Sequence, residues 1–163
     1  MTDNTHDDDI QTIAKLISAA KVALVTSQTA SGELHSRPLA VQEKEFDGVL
    51  WFFTPDPSEK TAEIAAHPKV NAAFESGKGY LSISGTASVV HDRATIDELW
   101  SAGVEAWFPE GKDDPSVALL RVDAESAEFW STGQPRLVTA LKIAAAAATG
   151  HQPDVGENRT TAL

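Results

Sequence analysis

Apolar positions along this chain switch between two periods. Ile10, Ile13, Ala14, Leu16 and Ile17 recur at helical spacing and predict an amphipathic helix over Asp9–Ala20. Val22–Ser27 follows as a strand that is mostly apolar on both faces. Ser31-Gly32 signals a turn, with Glu33–Glu43 as the return strand, and Asp47-Gly48 signals a hairpin into the apolar, aromatic strand Val49–Thr54. These three strands are expected to form an antiparallel meander. A helix over Ser58–Ala66 is closed by His67-Pro68. Val70–Glu75 and Tyr80–His91 are strands joined by Gly77-Lys78-Gly79, and Gly85 is a candidate bulge. Asp92 caps a helix running through Trp100, and Gly103–Phe108 suits a second short helix. Val117–Val122 and Ala127–Ser131 read as two strands, and Arg136–Ala148 as an alanine-rich helix. Six or seven short strands joined mainly by hairpins imply a mainly β fold with a largely antiparallel sheet, closed as a barrel or sandwich.

Trp51–Thr61 joins a strand directly to a helix start. Asp56 is the expected N-cap, Pro57 fits the first helical position, and Glu59 stands at the capping-box spacing. Ser58, Lys60 and Thr61 add hydroxyls and a cation to a turn with free backbone N–H groups, an arrangement suited to a phosphate. The same residues also describe a capped surface helix with a solvated lysine, the commoner case.

The 163-residue chain is the size of one domain and buries a core without disulfides, since it has no cysteine. That absence fits a reducing cytoplasm. Met1–Asp9 is polar and acidic, which is unlike a secretory leader, and is expected to be a disordered tail; residues 10–148 form the single domain, and 149–163 a flexible C-terminal tail. The net charge of −11 disfavours nucleic acid and anionic membrane surfaces. An anionic ligand therefore needs a local cluster of donors. Only five arginines are present, and Arg37 lies mid-strand immediately before Pro38, whose missing N–H marks an edge or interruption. If the meander forms, Arg37 approaches the Ser58–Thr61 turn; otherwise it is an edge arginine in solvent. His6, His35, His67, His91 and His151 form no metal-ligand spacing, and Asp7–Asp9 and Asp113-Asp114 read as solvated. No Gly-x-Gly-x-x-Gly, P-loop or Gly-x-Ser-x-Gly is present. Four tryptophans suit an aromatic ligand or a subunit contact.

Ser36-Arg37-Pro38-Leu39, Trp51–Thr54, Ser58–Thr61, Tyr80–Gly85, Trp107–Gly111 and Asp114-Pro115 occur in an order that resembles the general stress protein 26 group of the pyridoxamine 5'-phosphate oxidase-like, FMN-binding split-barrel proteins. The resemblance spans roughly Ile10–Trp130. It implies a six-stranded antiparallel split β-barrel with flanking helices, assembled as a homodimer with flavin in clefts between the subunits. Arg37 and Lys60 would hold the FMN phosphate, with Ser58 and Thr61 assisting. Pro38 and Leu39 would line the ring through backbone. Phe53 and Thr54 stand where the oxidases place a tyrosine and a threonine near the flavin. Tyr80, Leu81 and Ser82 would come from the partner subunit, and Trp107 would close the cleft.

The chain departs from the oxidases at three points. They carry Ser-Arg-Lys where this chain has Ser58-Glu59-Lys60; their glutamine position is Tyr80; and their C-terminal tryptophan–arginine motif has no match. The resemblance therefore implies a flavin-binding stress protein, FMN or FAD, acting as an oxidoreductase on an unknown substrate, rather than oxidation of pyridoxine phosphate. The alternatives are a module that sequesters flavin without turnover, or a cleft for a deazaflavin or for haem, with His35 as the nearby axial candidate. No residue is assigned a catalytic acid–base role.

Overall fold

The computed structural model describes residues 3–131, 146–147, 150 and 157–163. Helix α1 (Asp3–Ala19) precedes strands β1 (Val22–Gln28), β2 (Leu34–Ala40) and β3 (Val49–Pro55), helix α2 (Glu59–Ala66), and strands β4 (Lys69–Ser76) and β5 (Gly79–Val90). Short helices α3 (Arg93–Leu99) and α4 (Ala102–Glu105) lead to the long strand β6 (Val117–Ser131), and β7 (Glu157–Ala162) comes last. Most of the helix expected over Arg136–Ala148 lies outside the described residues. No described helix is long and apolar enough to cross a membrane.

The sheet is antiparallel throughout, in the order β2-β1-β4-β5-β6-β3, with β7 also on β6. Among the described residues it has seven strands, and no ladder joins its ends β2 and β3, so the barrel is not closed. The expected meander does not form. Phe46 turns into the core, and the Gly48 carbonyl accepts from Ala124 N at 2.9 Å, steering β3 onto β6. Val49 through Pro55 then register against Asp123 through Val117.

The two strands expected over 117–131 are one. Between them the register against β5 shifts at Ser84/Gly85, so Glu125 is accommodated as a bulge without ending the strand. Gly85 is required there, because a β-carbon would overlap the Asp123 carbonyl oxygen.

Both expected tails are partly ordered, and each supplies a partner for the other. The acidic residues sit in the first turns of α1, where the helix dipole favours negative charge. Asp9, largely buried, accepts from Arg159 Nη1 on β7 at 3.1 Å. Leu163 donates its N–H to the Glu125 carbonyl and packs against the main core.

That core lies between α1 (Ile13, Leu16, Ile17) and the inward rows of the sheet, among them Val25, Phe52, Ile83 and Phe129. A smaller cluster on the far side of β3 and β6 joins Val117 and Leu119 to Ile96, Leu99, Val104 and Phe108. This two-sided burial explains the unbroken apolar run at the start of β6.

Replacing Gly85 by alanine forces the β5 and β6 backbones apart, an overpacking cost of about 1–3 kcal/mol. Thermal unfolding should show this as a fall in Tm of several degrees, and an unchanged Tm would refute the close approach.

Candidate functional site

Strands β1 and β2 direct alternate side chains toward α2. On β1 the inward phase Ala23, Val25 ends in Ser27, a polar group at a core position. Arg37 lies opposite Val25 in the β1–β2 register, and the half-buried His35 and Leu39 share its face. From α2 the buried Glu63 meets both strands.

Arg37 Nη1 and Nη2 donate to Glu63 Oε2 and Oε1 at 2.9 and 3.1 Å. Ser27 Oγ donates to Glu63 Oε2 at 2.7 Å and accepts from Arg37 Nη1 at 3.1 Å. The Arg37 guanidinium, with help from Ser27, holds the Glu63 carboxyl down at about 2, and Glu63 in turn raises Arg37. His35 Nδ1 is 3.5 Å from Glu63 Oε1, and the exposed Glu59 carboxylate is 3.8 Å from Arg37 Nη2. The donor atoms of His35, Glu59 and Glu63 lie within 4.8 Å of one another, but both Glu63 oxygens are already bonded to Arg37, which opposes a cation there.

Arg37 therefore comes near the α2 turn, 3.8 Å from Glu59, although the meander that was to bring it there does not form, and it is not an edge arginine in solvent. Lys60 is half-buried beside it. Burial, and then the Arg37 charge, push its ammonium down from the usual lysine range. Among the described residues Lys60 makes no ion pair and no hydrogen bond.

The cap of α2 differs from expectation. Ser58, not Asp56, is the N-cap: its Oγ accepts from Thr61 N at 3.2 Å, while Thr61 Oγ1 accepts from Ser58 N at 2.9 Å. The chain is still extended at Ser58, and Asp56 is bonded instead to His91 Nε2 at 2.7 Å. Ser58 and Thr61 are thus committed to the helix start, and Thr61 is buried.

The other expected residues are spread over the sheet. Pro38 is exposed, and Leu39 packs against the core. Phe53 stacks edge-to-face on Trp100, with ring centroids 5.7 Å apart, in the smaller cluster. Thr54 is completely buried. Leu81 is a core residue, whereas Tyr80 and Ser82 face outward, with Ser82 Oγ accepting from Asn71 Nδ2 at 2.8 Å. Strands β1 and β4 separate them from β2. Trp107 is 80% exposed.

Sequence reading missed Ser27, Glu63 and the Asp56–His91 pair. Ser27 and Glu63 were findable as polar residues on inward phases. An open cleft of about 270 Å³ borders Ser27, Leu34 and Asn71. It falls short of the roughly 300–1,000 Å³ usual for ligand pockets.

An antiparallel sheet of this order with α2 packed on β1 and β5 is the fold of a family that sequence comparison identifies. The profile of the family described as pyridoxamine 5'-phosphate oxidase like matches residues 8–154, and the chain belongs to that family. It is 29% identical over 137 residues to general stress protein 26 of Bacillus subtilis, covering 79% of this chain and 93% of that one. It is 27% identical to protein bli-3 of Neurospora crassa over 165 residues, covering 94% and 79%. Among solved structures, the general stress FMN/FAD binding protein of Xanthomonas citri superposes with a TM-score of 0.66 at 32% identity, covering 77% of this chain and 89% of that one. A general stress protein 26 candidate of Jannaschia sp. CCS1 gives 0.75 at 26%, covering both chains fully.

Because its folded value is depressed, Glu63 contributes stability that is complete above its ordinary value of 4.5 and is lost as pH falls toward about 2. Unfolding curves of wild type and Glu63→Gln should therefore differ most above pH 4.5 and converge toward pH 2. Parallel curves across that window would remove the ion pair as the cause.

Proposed function

We propose that the chain is a flavin-binding protein of the general stress type that holds FMN by its phosphate between Lys60 and Arg37, and serves as a flavin-dependent oxidoreductase. The observation that carries this reading is Lys60, a half-buried cation with no partner among the described residues, beside an arginine held in place. A cation desolvated without a counter-charge is costly, and a phosphate offsets that cost. The relative named as an FMN/FAD binding protein supports the same chemistry.

The bound ring supplies hydride or electron transfer. The chain supplies position, charge and partial exclusion of water. Ser58 and Thr61 hold the helix start that presents Lys60, and Pro38 and Leu39 offer backbone beside Arg37. A flavin ring needs more enclosure than one open sheet offers, so a second copy completes the site. The exposed sheet face fits that role: Val22, Leu24, Leu34, Tyr80 and Trp130 are 46, 51, 71, 54 and 39% exposed. Such a homodimer brings the partner's Tyr80–Ser82 strand and Trp107 to the ring. The cysteine-free composition suits a cytoplasmic setting.

Flavin fluorescence quenching should give an FMN affinity that falls about tenfold or more in Lys60→Ala, as expected for loss of a charged contact. A wild type that does not quench FMN would sink the reading. Bleaching of the bound flavin by NADH or NADPH under anaerobic conditions separates an oxidoreductase from a module that only sequesters flavin.

Charging the sheet face by Leu24→Glu should shift the protein from dimer to monomer in light scattering and weaken FMN binding. A dimer with unchanged affinity would rule out this face as the cleft wall.

A further inference from the structure

We propose that Glu63 is a positioning residue that aims Arg37 at the phosphate. This rests on the phosphate reading above and adds a second, opposite-signed expectation to it. Glu63 meets the guanidinium end-on, occupying one N–H of Nη1 and one of Nη2. Ser27 accepts from Nη1 and donates to the same carboxylate oxygen. Arg37 is left with its side-on edge, Nε–H and one Nη2–H, two parallel donors suited to bidentate contact with a phosphate. Glu59 Oε2 stands 3.8 Å from Nη2, beyond hydrogen-bond reach, and Glu59 is 76% exposed. An incoming anion can replace it at little cost.

Glu63 has no such freedom. It is buried on α2, and both its oxygens are bonded to groups on β1 and β2. The guanidinium plane is therefore fixed from two strands and a helix before any ligand arrives. Pre-fixing an arginine removes the rotamer entropy that a phosphate would otherwise have to freeze.

Charge alone predicts the reverse. Glu63 is an anion near a site for an anion, so removing its charge by itself would tighten FMN binding. Positioning predicts weaker binding, confined to ligands that carry the phosphate. Riboflavin has the same ring without the phosphate and reports every other effect.

The experiment is fluorescence titration of the full chain with FMN and with riboflavin, in wild type, Glu63→Gln and Ser27→Ala, with the fold checked by circular dichroism. Expected is a loss of about tenfold in FMN affinity for Glu63→Gln, the size of one charged hydrogen bond, with riboflavin changed less than about twofold. Ser27→Ala should show a smaller loss of about threefold, again only for FMN. Tighter FMN binding in Glu63→Gln, or equal losses for both ligands, overturns the proposal. If Glu63→Gln does not fold, an FMN-to-riboflavin ratio in Ser27→Ala equal to that of wild type overturns it. A wild type that binds FMN no better than riboflavin brings down the phosphate reading itself, a result distinct from any of these.

Discussion

The clasp between Arg37 and Glu63 ties helix α2 to the sheet. A buried carboxylate on a helix is costly unless its lone pairs are filled, and here Arg37 and Ser27 fill them. The three residues come from β2, α2 and β1, so satisfying one charge fixes how the helix sits over the sheet. Lys60, three residues before Glu63, is then carried to the same mouth by helical spacing.

The sheet supplies the frame. Strand β6 pairs with β5 along one edge and with both β3 and β7 along the other. The bulge opposite Gly85 lets one strand serve all three partners. Core on one side and the Ile96–Phe108 cluster on the other leave no wet face at its start, which keeps the neighbouring strands in a single register. The outer face of the other strands is different. It mixes exposed apolar side chains with rows of bonded hydroxyls, such as Thr26 with Ser36 at 2.7 Å and Asn71 with Ser82.

Features whose causes are local were legible in the sequence. The Asp92 cap forms as expected, with its carboxylate accepting from Thr95 N, and Gly85 sits at the bulge its strand context suggested. The cap of α2 was misplaced by two residues because Asp56 has a distant competitor, His91, which no local pattern reveals. The meander failed for a similar reason: Asp47-Gly48 has the composition of a hairpin, but the partner of β3 lies far along the chain. The termini read as tails because each is polar by itself, and the Asp9–Arg159 contact spans 150 positions. At the site, Arg37 and Lys60 were visible by charge type and spacing. Glu63 was legible only as a polar residue on an inward phase; its role as Arg37's partner depends on Ser27 and Arg37 standing opposite it.

The pairing of β3 with β6 also sets an order of events during synthesis. Strands β1 and β2, and then β4 and β5, find their partners within short hairpins, so they can close soon after they emerge from the ribosome. β3 cannot. Its Trp51-Phe52-Phe53 run must wait until Arg121, Leu120 and Leu119 have been made. For that interval the nascent chain carries an unpaired aromatic strand, the kind of segment that aggregates or recruits chaperones. The strand that leads into α2 is thus among the last to be secured.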